Sequence, residues 1–298
     1  MVRAFVAGIA SAILTSTIGV YVVLRRMSMA GDSFSHAALA GVAAGMLFGF
    51  YPFYGAVAGS VLAGLLVEVV RNTFKRYAEV ALAVVMSSSM GAAVVLISLG
   101  KSFNADLFSY LFGSLMAVTP EDIELILVLG TFVLASLYLL RRELFSVTFD
   151  EDTARLSGIP VRLVNIYFLM ITALTVALSV KVVGTLLVSA LIVIPAAVSL
   201  QLARSFTSAF FISNIVAIFS VVTGLYISFY LDLAPGGTIV LIASSVLFLV
   251  LLLKRGSVRD GIRKSAETEG AQNYGPKKGH SEGAKRLRRH DERKRDIR

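Results

Sequence analysis

VRAFVAGIASAILTSTIGVYVVL, residues 2–24, runs straight into Arg25 and Arg26 and carries one charge, Arg3, at its start. A helix rises about 1.5 Å per residue, so roughly 20 apolar residues cross the hydrocarbon layer of a bilayer. A secretory leader would have an apolar centre of roughly 7–15 residues followed by a small-residue cleavage site. This run is longer, has no convincing cleavage site and stops at two arginines. It reads as a retained transmembrane helix.

The same reading extends along the chain. Apolar stretches at 32–50, 53–70, 78–99, 121–140, 161–180, 183–203, 207–230 and 236–253 follow it, making about nine spans. The sixth and seventh are separated by little more than Lys181 and Gly184, so eight helices with one segment broken or re-entrant is the other count. The expected fold is all-α, a polytopic transmembrane bundle of eight to nine helices.

Composition agrees. The 298 residues are 56% hydrophobic and 16% charged, with a mean hydropathy of +0.80, where a soluble domain carries roughly 25% charge. From Lys254 to Arg298 there are 15 Lys/Arg against 7 Asp/Glu, about +8 of the net +9. The chain therefore divides into a near-neutral membrane domain, 1–253, and a basic tail, 254–298, too polar to bury a core and expected to be mostly disordered. Such a tail beside a membrane suits anionic lipid and gives no ground for nucleic-acid binding. There are no cysteines, which excludes disulfides and thiolate metal sites.

Basic residues set the orientation. One set of loops holds Arg25, Arg26, Arg71, Lys75, Arg76, Arg141, Arg142, Arg155, Arg162, Arg204, Lys254 and Arg255; the opposite side holds Arg3, Lys101 and Lys181. This places the N-terminus outside the cell and the C-terminus in the cytoplasm. Gly41, Gly45 and Gly49, and again Gly55 and Gly59, recur at the four-residue spacing that lets membrane helices approach closely.

Three segments carry residues that a plain membrane helix does not need. In Gly31-Asp32-Ser33-Phe34-Ser35-His36, Asp32 and His36 are four apart and share a helix face. Carboxylate with imidazole suits a borderline divalent cation, and two ligands are few enough to let it go again. The pair reads equally as a helix–helix link or a cap. Glu68, near a helix end, reads as structural, and Asp106 and Asp232 as solvated loop charges. Between Arg141 and Arg162, Asp150 caps a short amphipathic helix with an acidic first turn, which Gly158 and Pro160 end. It is expected to expose Ala154 and Leu156, as a docking element or simply as an ordered loop. In the third segment, Val183 to Ala197, Gly184 and Pro195 break the helical ladder. This marks either a kink on a pathway or a packing distortion.

Five motifs together resemble the ABC-3 family, the permeases of zinc, manganese and iron ABC importers. They are Asp32-Ser33-Phe34-Ser35-His36-Ala37 with Gly41; Leu111-Phe112-Gly113; Phe149-Asp150 through Ala154 to Gly158; Gly184 through Pro195-Ala196-Ala197; and Pro235-Gly236-Gly237. They stand in order over residues 2 to 253. The resemblance implies a homodimeric permease in the plasma (inner) membrane, driven by cytoplasmic ABC ATPase subunits and supplied by an extracytoplasmic metal-binding protein. It implies that Asp32 and His36 meet the transported Zn²⁺, Mn²⁺ or Fe²⁺, with no permanently bound cofactor. Phe149, Asp150, Ala154, Leu156 and Gly158 would form the ATPase-coupling segment, and Gly184 and Pro195 a helix break near the pathway. The chain contains no GxxxxGK[ST] loop, so the expected role is translocation only, with ATP hydrolysed elsewhere. The competing readings are an ABC permease for metal chelates or cobalamin and an ion-coupled secondary transporter.

Overall fold

The computed structural model describes residues 2–73, 78–100, 109–113 and 119–273. Lys75, Arg76, Lys101, Asp106, His280 and His290 lie outside them. The chain divides into two compact units, Met1–Val250 and Leu251–Arg298, and the helical bundle is the first of them.

Every regular element among the described residues is a helix. In chain order they are α1 (Val2–Leu24), α2 (Ala30–Phe48), α3 (Pro52–Thr73), α4 (Ala78–Leu99), α5 (Pro120–Leu139), α6 (Arg141–Phe149), α7 (Glu151–Leu156), α8 (Val161–Val183), α9 (Val188–Leu202), α10 (Phe206–Leu231) and α11 (Pro235–Asn273). Seven of these are long and apolar enough to cross a membrane. α2 falls short because Gly, Ser, Asp and His dilute its hydropathy. α9 falls short because it has only 15 residues, about 22 Å of rise.

The break between the sixth and seventh expected spans is real. α8 runs to Val183 and ends at Gly184, whose φ of +94° is a conformation that L side chains rarely adopt. Residues 184–187 then run without helix before α9 begins. Pro195 lies inside α9, which continues through it. The interruption therefore falls at Gly184. Helix α11 runs on past Lys254 to Asn273, further than the polar composition suggests. Extending an existing helix adds one hydrogen bond for each residue fixed, without a new nucleation cost.

Burial sorts the helices. α1 and α8 have 67% and 72% of their spanning windows buried, against 22% for α4 and for the apolar part of α11. The first two are central. The outer two present Val84, Val94, Val95, Leu241, Phe248 and Leu249 outward, a surface suited to lipid or to another subunit.

α2 is central too, and small residues let it be. A methyl on Gly41 would stand 1.9 Å from the Gly55 carbonyl oxygen, and one on Gly59 2.5 Å from that of Ala37. The α2 and α3 backbones therefore touch directly. In lipid, where burying apolar surface gives little drive, such contact replaces hydrophobic collapse as the source of packing energy.

Candidate metal pathway and coupling site

Asp32 stands in the first turn of α2 and His36 one turn later. Both are partly buried, while Ser33, Phe34 and Ser35 between them are buried. Ser33 donates to the Leu82 carbonyl (2.7 Å) and Ser60 to that of Phe34 (3.1 Å). These bonds fix α2 against α4 and α3. Gly31 packs on Ser189 and Ile192 of α9. The root of α2 is thus held between α3, α4 and α9. His36 Nδ1 is enclosed and has no hydrogen-bond partner among the described residues. No group of three His, Asp or Glu comes together in them to hold a metal ion.

At the Gly184 end of the bundle three distant motifs meet. Thr185 N–H donates to the Tyr110 carbonyl (2.9 Å) and Leu186 N–H to that of Leu111 (3.3 Å). These bonds satisfy backbone groups that the broken helix leaves open. A methyl on Gly184 would lie 2.5 Å from Leu111 O and Gly113 N, one on Gly113 2.6 Å from Val182 O, and one on Gly236 2.4 Å from Val183 O. The segments Leu111-Phe112-Gly113, Val183-Gly184 and Pro235-Gly236 therefore form a single backbone knot.

Beside it lies a buried ion pair. Lys181 Nζ sits 2.5 Å from Asp122 Oδ2, with side chains 10% and 0% exposed. Asp122 also accepts from Tyr51 OH (2.9 Å) and from the Thr119 N–H (2.7 Å) and hydroxyl (2.6 Å). Lys181, counted above among the external basic residues and as part of the break between two spans, lies in the last turn of α8 and is buried because this carboxylate lies within its reach. The sequence did carry a signal: Thr119-Pro120-Glu121-Asp122 is a capping box with proline in the first turn, and the structure forms it. Asp232, also read as a loop charge, ends α10 in a left-handed conformation (φ 49°).

At the opposite end is the segment around Asp150. The Asp150 carboxylate accepts from the N–H groups of Asp152 (3.0 Å) and Thr153 (3.1 Å) and from the Thr153 hydroxyl (2.5 Å). These bonds, the Thr153 hydroxyl first, hold its pKa below the usual carboxylate value. Gly158 (φ +82°) closes the helix, with Ile159 N–H bonding back to Ala154 O, a Schellman-type end. Phe149 is exposed and Leu156 is 90% exposed, but Ala154 is fully buried. This corrects the expectation that Ala154 and Leu156 are both exposed. Residues two positions apart on a helix are separated by about 200°, so when one faces out the other faces in.

The same end holds a polar chain that the sequence reading missed. Glu151 lies 3.5 Å from Arg71 of α3, which also lies 3.9 Å from the buried Glu68. Glu151 accepts from Asn165 Nδ2 (3.2 Å), and Asn165 Oδ1 accepts from Arg25 Nη1 (2.9 Å). Arg25 Nε donates to Thr148 Oγ1 (2.9 Å), and its guanidinium covers the Phe168 ring at 4.2 Å. Burial lowers the Arg25 pKa to about 10, with Glu151 opposing the shift, so the group is still a cation at neutral pH. An asparagine one turn into α8, next to the apolar run that follows Arg162, was the available signal.

The model for the ABC 3 transport family matches residues 1–254. The high-affinity zinc uptake system membrane protein ZnuB of Haemophilus influenzae is 32% identical over 85% of this chain and 96% of its own length. The manganese import system permease protein ScaB of Streptococcus parasanguinis is 32% identical over 83% of this chain and 88% of its own. The solved PsaBC from Streptococcus pneumoniae, in complex with Fab, has a chain that superposes with a TM-score of 0.75 at 30% identity, over 83% of this chain and 89% of that one. The chain belongs to the ABC-3 transport family.

Proposed function

We propose that this protein is the membrane-spanning permease of an ABC importer and that it moves Zn²⁺ or Mn²⁺ into the cell. The observation that carries this is α2: a carboxylate and an enclosed, unpartnered imidazole nitrogen one turn apart on a central helix. Ionisable groups at such depth are costly and mark transport routes. Carboxylate and imidazole are the donors that Mn²⁺ and Zn²⁺ accept. Two donors per chain bind weakly enough for release, and a homodimer would bring two such pairs to a shared path. The relatives named for zinc and for manganese support the cargo class equally; iron belongs to the same class.

ATP is hydrolysed on a separate subunit that seats the capped helix α7. Phe149 and Leu156, exposed on either side of buried Ala154, are the apolar contacts offered to it. Asp150 and Gly158 hold the helix ends, Gly184 shapes the opposite end of the pathway, and Pro195 lies near the pathway within α9. A binding protein outside the membrane delivers the ion. The N-terminus lies outside, the C-terminus in the cytoplasm, and residues 254–298 form a basic cytoplasmic segment facing anionic lipid.

The test is uptake of ⁶⁵Zn²⁺ and ⁵⁴Mn²⁺ by proteoliposomes holding the permease, its ATPase and its binding protein. Asp32→Ala and His36→Ala each lower uptake by at least about tenfold, the loss of one charged-group contact, while the ATPase still co-purifies. Unchanged uptake in both variants removes the metal role of the pair. Uptake without any ATPase, or competition won by metal chelates over free ions, overturns the wider reading.

A further inference from the structure

We infer that Asn165 is a positioning residue that ties the ATPase-facing helix α7 to the helix bearing Asp32 and His36. The inference rests on the function proposed above. Among the described residues Glu151, on α7, has two bonded partners, and both lead to α2.

The first route runs through Asn165. This side chain is 2% exposed and bridges an anion to a cation, donating to Glu151 and accepting from Arg25. An amide carries both a donor and an acceptor, which that position requires. Leucine would leave Arg25 and Glu151 without this link, and aspartate would repel Glu151. Arg25 is itself fixed by Thr148 and by stacking on Phe168. It opens a tight turn with Arg26 in a left-handed conformation (φ 56°) and with Met27 N–H bonded back to Val22 O. α2 begins immediately after, at Ala30, with Asp32 in its first turn.

The second route runs through Arg71, at the end of α3. α3 meets α2 backbone to backbone at Gly41, Gly55 and Gly59, contacts that leave no soft side chain to absorb a shift. A displacement of Glu151 therefore reaches α2 from its root and along its length. Direct backbone contact and a closed hydrogen-bond chain transmit strain where loosely packed side chains would relax it.

The complex of permease, ATPase and binding protein, reconstituted in proteoliposomes, decides this through the number of Zn²⁺ or Mn²⁺ ions moved per ATP hydrolysed. Asn165→Asp keeps the acceptor for Arg25 and sets a carboxylate against Glu151. That ratio is expected to fall about tenfold, within the usual range of coupling between sites, with co-purification and basal hydrolysis retained. Adding Glu151→Gln supplies an amide that donates to Asp at 165, and the ratio recovers. Asn165→Leu loses the ratio as well, and Glu151→Gln does not restore it. An Asn165→Asp complex with an unchanged ratio overturns the inference, as does recovery by Glu151→Gln in the leucine background. Failure of the wild-type complex to accumulate either metal while hydrolysing ATP overturns the metal-permease reading itself.

Discussion

Two polar clusters, one buried and one partly exposed, stand at opposite ends of this bundle, and they are built differently. At the Gly184 end, Asp122 and Lys181 are in direct contact, hidden from solvent, and every approach to the carboxylate is taken by Lys181, Tyr51 or Thr119. At the α7 end the charges are spaced along a chain. Arg71 and Glu151 are 3.5 Å apart with side chains 19% and 48% exposed, an amide separates Glu151 from Arg25, and Arg25 Nη2 has no hydrogen-bond partner among the described residues. The first cluster is a closed clamp. The second is an extended chain that links α7 to α3, α6 and α8 and keeps one donor unsatisfied.

The largest expected effect tests the clamp. Lys181→Met leaves Asp122 buried without its cation and is expected to cost about 3–5 kcal/mol, read by denaturant unfolding in detergent micelles. Adding Asp122→Asn, which can still accept from Thr119, removes the stranded charge and recovers most of the loss. A single-variant cost below about 1 kcal/mol, the size expected of a solvent-exposed pair, would erase the distinction between the two ends. Next in size is a pair of glycines. Gly184 and Gly158 both have positive φ, but only Gly184 is crowded, with three backbone atoms 2.5 Å from an added methyl. Gly158→Ala should cost about 1–2 kcal/mol for its backbone conformation alone. Gly184→Ala should cost clearly more, because Leu111 and Gly113 must move. Equal costs would mean that the knot is loose.

Legibility in the sequence divides along the same line. The spans, the break near Gly184 and the Asp150 cap are local: each is decided by residues within one or two turns, through apolar run length, a missing Cβ or a side-chain acceptor beside free N–H groups. The two clusters are not local. Asp122 and Lys181 are 59 residues apart, and Arg25 and Asn165 are 140 apart. Nothing near Lys181 distinguishes a lysine in a loop from one folded inward onto an aspartate. Ala154 shows the intermediate case. Its helix was legible, but which face turns inward depends on α6 and α8, against which α7 packs. The sequence signals that remained were polar residues lodged in apolar runs, Asn165 and Lys181, and the Thr119 capping box. Asp32 and His36 could be singled out as candidates because both members of the pair fall on one helix.

Smaller effects probe the α7 end. Glu151→Gln removes a half-exposed anion from Arg71 and should lower stability by less than about 1 kcal/mol, well below the Lys181→Met loss in the same unfolding measurement. A loss as large as that of Lys181→Met would make the chain a second clamp.

The smallest effect concerns the cap that starts α7. The folded-state pKa of Asp150 is depressed, chiefly by the Thr153 hydroxyl and N–H, so near the carboxylate range the unfolded segment binds more protons than the folded one. The capping contribution is therefore complete above the ordinary Asp value of about 3.9 and is lost as pH falls through the lower folded value. At neutral pH the cap is fully formed and insensitive to pH. The Thr153 amide, which donates to the Asp150 carboxylate at 3.1 Å, reports this directly. In threonine-labelled protein in micelles, its chemical shift should titrate with a midpoint below that of free Asp. In Asp150→Asn, which keeps a capping acceptor but has no proton to gain, the transition should vanish. A midpoint at or above the ordinary value would show that the carboxylate is not held by the helix start. The entry to α7 would then be loose, and the contrast with the Thr119–Asp122 box at the other end would be greater than the geometry implies.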